Sequence, residues 1–117
     1  MIYKIGTTKE VPTLTNKLPR QVLGELLRGV AVLDAEYGAD RDYLQIGGYS
    51  VVAETMEDLA DLKGIINYDD HPCEWATKIG KDSGFASALF LTNNDFSLMV
   101  YLPIAIAPDA ILNVLED

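Results

Sequence analysis

Residues Gly84–Ile106, GFASALFLTNNDFSLMVYLPIAI, decide the fold because they predict two strands joined by a short turn. The turn-forming residues Asn93–Asp95 separate two apolar runs, which is the pattern of a β-hairpin. Both alternating faces of Leu98–Ala107 are apolar, as in a central strand that is covered on both sides. Pro103 lacks an amide hydrogen, so we expect this strand to lose a ladder hydrogen bond or to bulge there.

Strand and helix patterns alternate in the residues before this hairpin. β-Branched and aromatic side chains predict strands at Ile2–Ile5 and Tyr49–Glu54, and residues 6–17 are predicted to form a polar loop. Thr55 is the predicted N-cap of a helix, and Asp58 three residues later completes a capping box. The side chains predicted to face the core from this helix are Met56, Leu59, Leu62 and Ile66.

Residues 22–37 allow two interpretations. Apolar residues recur at helical spacing, which favours one long helix. Gly24 and Gly29 each weaken a helix by about 1 kcal/mol relative to alanine, so a helix followed by a strand from Val30 is the alternative. That strand would place two acidic residues on its apolar face, and we therefore predict a single helix.

The remaining segments complete an α+β prediction. Pro72 begins a short helical pattern in which Trp75 and Ile79 lie four residues apart, and Pro108 begins a final helix. The order β-α-β-α-α-β-β-α predicts a single-layer, mostly antiparallel sheet of about four strands with three to four helices packed on it. The length of 117 residues predicts one domain, residues 1–117.

Charge is the most biased property of the chain. Eighteen acidic and nine basic residues give a net charge of −9. Residues 1–28 carry five bases and two acids, a net charge of +3, which leaves −12 for residues 29–117. A negative field of this size repels phosphate backbones, so we expect no direct nucleic-acid binding. The same field would favour a basic protein partner if the acidic side chains share one face.

Cysteine content and hydropathy indicate the compartment. Cys73 is the one cysteine, so an intrachain disulfide is impossible and a reducing, cytoplasmic compartment is expected. The most apolar stretch, Leu98–Ala107, is about half as long as a membrane-spanning helix. The sequence therefore predicts no membrane association.

One short cluster mixes the side-chain types that bind metals. Zinc accepts imidazole, thiolate and carboxylate ligands, but it usually takes four ligands from two separated segments, and the chain has no second cysteine or histidine. We therefore interpret the cluster as a polar linker that caps the following helix, and we predict no catalytic residue, cofactor or metal. A small metal-binding protein or enzyme centred on residues 69–74 is an alternative. The cluster comprises Asp69, Asp70, His71, Cys73 and Glu74.

No sequence motif specifies a function, so the hypothesis rests on charge and aromatic content. Tyrosine is enriched at binding hot spots, and an acidic surface that contains tyrosines is a plausible docking face. We predict a non-enzymatic interaction domain (accessory, inhibitor or immunity-type) that binds a basic protein. A homo-oligomeric structural subunit is the alternative, since Leu98–Ala107 could leave an exposed apolar edge. The predicted interaction face comprises Tyr37, Asp40, Arg41, Asp42, Tyr43, Tyr49, Asp58 and Asp61.

Overall fold

Strands from the whole length of the chain form one mixed sheet in the computed structural model. The structure describes residues 3–5, 8–37, 48–63, 73–91 and 97–116. Within them lie β1 (Tyr3–Ile5), β2 (Gly48–Val52), β3 (Cys73–Ile79), β4 (Phe85–Leu91) and β5 (Ser97–Pro103). The strand order is β1-β2-β5-β4-β3, in which β2 and β5 are parallel and the other neighbours are antiparallel.

Helices cover both faces of this sheet. The described helices are α1 (Arg20–Tyr37), α2 (Met56–Leu62), α3 (Asp109–Glu116) and two 3-10 segments, Thr8–Leu14 and Ile104–Ile106. The first 3-10 segment and α1 share a core with one face, whereas α2 and α3 share a core with the other. None of the helices in the described ranges is long and apolar enough to cross a membrane. The α+β prediction, with a mostly antiparallel sheet, is confirmed.

The central strand is the one that the sequence predicted. β5 lies between β2 and β4, and its side chains alternate between the two cores: Val100 packs on the α2 side and Tyr101 on the α1 side. Pro103 is the last residue of the strand, so its missing donor falls where the ladder ends. The apolar stretch that motivated the homo-oligomer alternative is therefore covered on both faces across residues 98–102.

Residues Cys73–Ile79 form a strand, and the helix predicted from Pro72 is wrong. β3 pairs with β4, with Trp75 opposite Leu89. A spacing of four residues keeps two side chains on one face of a strand as well as of a helix, so the periodicity was compatible with both. Pairing with β4 decides for the strand, and a register shift between Cys73 and Trp75 places a bulge at Glu74.

The turn between β3 and β4 contains two glycines with positive φ angles. Gly80 and Gly84 have φ angles of 64° and 73°, which L-residues with a side chain rarely adopt. Gly80 therefore begins a hairpin turn, and it does not end a helix.

The polar loop predicted at residues 6–17 contains a 3-10 helix, Thr8–Leu14. Val11 and Leu14 are buried, and their spacing of three residues matches the 3-10 repeat, so both side chains face the core beside α1. The Thr13 hydroxyl donates a hydrogen bond to the Glu10 carbonyl at 2.6 Å. Local bonds and two buried side chains thus order a segment that its polarity assigned to a loop.

The single long helix predicted over residues 22–37 is confirmed by α1. Its buried stripe consists of Val22, Leu26 and Val30, each fully buried and four residues apart. Gly29 faces the sheet, where a Cβ would lie 3.0 Å from the Tyr101 hydroxyl oxygen. Burial raises the pKa of Tyr101 to about 12, although the Arg28 charge opposes this, so the hydroxyl is neutral at ordinary pH.

The two glycines of α1 should respond oppositely to alanine. A Cβ at Gly24 meets no atom within 4 Å in the described part of the chain. We expect Gly24→Ala to raise the free energy of unfolding by up to about 1 kcal/mol, because alanine is the better helix former. Gly29→Ala should lower it by about 1 kcal/mol or more, because the buried Tyr101 ring must shift.

Urea denaturation of both variants measures this difference. Equal gains in stability at the two positions would contradict the packing of Gly29 against Tyr101.

Candidate functional site

The start of α2 is held by a capping box, as the sequence predicted. The Thr55 hydroxyl oxygen accepts a hydrogen bond from the Asp58 amide at 3.1 Å. In return, the Asp58 carboxylate accepts from the amides of Thr55 at 3.2 Å and Glu54 at 2.9 Å. These bonds satisfy amide donors that would otherwise be unpaired at the first turn, so the helix has a defined starting point.

The Asp58 carboxylate is buried and hydrogen-bonded within this capping box. Its side chain is buried, and burial alone would raise the pKa of its carboxyl. Hydrogen bonds to the ionised form, including those from Glu54 and Thr55, act together with positive charge to outweigh burial, and they lower the pKa below the ordinary value of 3.8. Although Asp58 was part of the predicted interaction face, its carboxylate binds the chain's own backbone.

Two sides of α2 have different exposure. Leu59 and Leu62 are buried against the sheet, as predicted. Met56 was also predicted to face the core, but it is 65% exposed. The helix therefore presents a large, flexible apolar side chain to solvent beside its buried stripe.

A shallow apolar groove of about 300 Å³ lies between α2 and the segment that leads into α3. Six of its seven lining side chains are apolar, and Lys63, the exception, lies just past the C-terminal end of α2, where a cation is favourable. The groove is lined by Met56, Leu59, Ala60, Lys63, Ile106, Ala107 and Pro108.

Acidic residues lie along the solvent side of the same helix. Glu57 and Asp61 are exposed and four residues apart, so they lie on one side of α2, next to Met56 and Ala60. The groove thus has an apolar floor and an acidic margin. This arrangement can bind an amphipathic surface by burial and by charge, and among the described lining residues Lys63 is the titratable one.

The other members of the predicted interaction face are not gathered here by the structure. Asp40, Arg41, Asp42 and Tyr43 lie outside the described residues. Tyr37 ends α1 and Tyr49 lies in β2, and their side chains are also outside the described part. Of the predicted set, Asp61 alone is placed at the margin of the groove.

The second predicted cluster is described in part. Cys73 is half-buried at the start of β3, and its thiol donates a hydrogen bond to the Trp75 carbonyl oxygen at 3.1 Å. Burial raises the pKa of the Cys73 thiol. Glu74 is exposed, and Asp69, Asp70 and His71 lie outside the described residues. In the ranges that the structure describes, no three His, Cys, Asp or Glu side chains are grouped to hold a metal ion.

Sequence reasoning missed the apolar half of the groove. Ile106, Ala107 and Pro108 come next to α2 only through the packing of the chain, so no local pattern links them to Met56. Neither a protein-family model, a curated protein nor a solved structure matches this chain.

Proposed function

We propose that this chain is a non-enzymatic interaction domain, of accessory, inhibitor or immunity type, that binds a basic amphipathic segment of another protein in the groove beside α2. The observation that carries the proposal is Met56, which is 65% exposed at an apolar groove. Methionine is flexible and polarizable, and it recurs on surfaces that adapt to a partner.

Charge supports a basic partner. Glu57 and Asp61 flank the exposed side of the groove, and the whole chain carries a net charge of −9. The two flanking acids would hold lysine or arginine side chains of the partner at short range. Binding should therefore weaken as salt is added, since the Debye length is about 8 Å at physiological ionic strength.

Apolar burial supplies the affinity and charge supplies the selectivity. Fully burying one leucine-sized side chain contributes about 1.5–3 kcal/mol. The groove volume of about 300 Å³ lies at the small end of the range for ligand pockets, which suits one or two inserted side chains. An amphipathic helix that places leucines in the groove and lysines beside Glu57 and Asp61 uses both features.

A pair of variants with equal exposure tests the groove. Met56→Ala should weaken binding of a synthetic leucine–lysine amphipathic peptide about fivefold to tenfold, because about 1 kcal/mol of apolar burial is lost. Val32→Ala is the control, since Val32 is 66% exposed on α1, outside this groove. Fluorescence anisotropy of the labelled peptide gives both dissociation constants. Equal affinity of the two variants would remove the groove from the proposal.

Charge reversal separates local contacts from net charge. Glu57→Lys with Asp61→Lys should abolish salt-dependent binding of the leucine–lysine peptide. Glu74→Lys with Asp82→Lys changes the net charge equally, at exposed positions on β3 and in the following turn, and should weaken binding only slightly. If both pairs weakened binding to the same extent, the acidic margin of α2 would have no special role.

A further inference from the structure

A second apolar groove lies on the face of the sheet opposite α2. It has a volume of about 320 Å³ and runs between the 3-10 helix Thr8–Leu14 and α1. Pro12 and Leu27 form parts of its wall, and both side chains are exposed. Leu27 is 44% exposed, whereas its neighbour Leu26 is fully buried. The groove therefore offers apolar surface that the described part of the chain leaves uncovered.

Gly24 lies in this groove and has no packing role within the described residues. Gly29, in the same helix, is explained by the approach of the Tyr101 hydroxyl, but a Cβ at Gly24 would meet no described atom within 4 Å. A glycine inside a helix destabilises it, and the usual compensation is the close approach of another backbone or a ligand. Gly24 lines the groove, and the described part of the chain supplies no such contact to it.

The charge around this groove is opposite to that of the molecule. Arg20 is exposed and lines the groove, and Lys9 and Lys17 are exposed on the segments that flank it. Residues 1–28 carry five bases and two acids, in a chain whose net charge is −9. Charges more than about 10 Å apart are largely screened at physiological salt, so a ligand in the groove experiences the local positive charge.

We propose that this groove binds an acidic amphipathic helix of a second protein, packed closely on α1 at Gly24. Leucine side chains of the bound helix would contact Leu23 and Leu27, and its carboxylates would face Arg20. A missing side chain at Gly24 lets the two helix backbones approach, as small residues do at close helix crossings. The inference does not depend on the groove beside α2, because the two sites lie on opposite faces of the sheet.

Gly24→Ala is the discriminating variant, because folding and binding should change in opposite directions. The added methyl group occupies the open side of the groove while it strengthens α1. We expect a higher midpoint of thermal unfolding together with about tenfold weaker binding of a synthetic leucine–glutamate amphipathic peptide. A variant that merely unfolds would lose both, so the opposed result cannot come from misfolding.

Charge variants identify the binding residues. Arg20→Glu should weaken binding of the leucine–glutamate peptide at least tenfold. Lys78→Glu, an equal charge change on β3, should leave its affinity within about twofold. Isothermal titration calorimetry with this peptide and with its leucine–lysine counterpart measures all four combinations.

Three results from variants and peptides of this groove would overturn the proposal. They are unchanged affinity in the more stable Gly24→Ala variant, equal losses for Arg20→Glu and Lys78→Glu, and tighter binding of the leucine–lysine peptide at this groove. If Met56→Ala abolished binding of the leucine–glutamate peptide, the peptide would bind in the groove beside α2. That result would also overturn the inference. If the leucine–lysine peptide did not bind beside α2, the proposed function would be contradicted but the inference about this groove would stand. The two proposals can therefore be tested separately.

Discussion

Leu26→Ala should lower the free energy of unfolding by about 3 kcal/mol or more, whereas Leu27→Ala should change it by less than about 1 kcal/mol. Leu26 is fully buried in the core between α1 and the sheet, so its truncation removes apolar burial and leaves a cavity. Leu27, the next residue, is 44% exposed and already contacts water. The two variants differ in the burial of the truncated side chain, because the residue type, the helix and the substitution are the same.

Chemical denaturation with urea measures both variants, and the slope of the unfolding curve checks that the unfolded state is unchanged. Losses of similar size at the two positions would contradict the orientation of α1. Leu27→Ala also tests the groove between the 3-10 helix Thr8–Leu14 and α1. It should weaken binding of the leucine–glutamate peptide with little change in the free energy of unfolding. The free energy of unfolding of a small domain is only about 5–15 kcal/mol, so Leu26→Ala should remove a large part of it.

Asp58→Ala should cost about 2 kcal/mol, because the amides of Glu54 and Thr55 lose their acceptor in a part-buried site. Glu57→Gln is the control: Glu57 is an exposed acid in the same first turn, and its loss should cost at most a few tenths of a kcal/mol. Thermal unfolding at neutral pH compares them. A cost at Asp58 no larger than at Glu57 would show that the capping box contributes little.

The pH dependence of stability gives Asp58 a second signature. Its pKa is lowered in the folded state, so its contribution is complete above the ordinary value of 3.8 and is lost as the pH falls through the lower, folded-state pKa. Asp58→Asn keeps an acceptor oxygen but cannot titrate, so it should flatten this acid limb while retaining part of the cap. An unchanged acid limb in Asp58→Asn would assign the pH dependence to other carboxyl groups.

Local signals explain which parts of the fold were predictable. Thr55 and Asp58 lie three residues apart, and their mutual bonds form within one turn, so the capping box is visible in the sequence. The antiparallel pairing of β4 with β5 was likewise predicted from two adjacent apolar runs, and the predicted turn between them, Asn93–Asp95, lies outside the described residues. α1 was predicted from its buried stripe, in spite of two glycines, because tertiary burial outweighs helix propensity.

Non-local contacts explain the errors. Trp75 and Ile79 fit both a helix and a strand, and the choice was made by pairing with β4, which no local pattern reports. Met56 matched the buried stripe of α2 by spacing, yet its side chain is 65% exposed. The groove depends on the packing of Ile106–Pro108 against α2, so its existence could not be derived from either segment alone.

The edges of the sheet govern how this protein behaves when it is crowded. An open strand edge is a template for pairing with a neighbouring molecule. The two edges of this sheet carry different features that disfavour such pairing. β1 spans three described residues, too short for a stable new ladder, while β3 carries a bulge at Glu74 and an exposed Lys78. Both described edges thus carry features that disfavour pairing with a strand of another molecule.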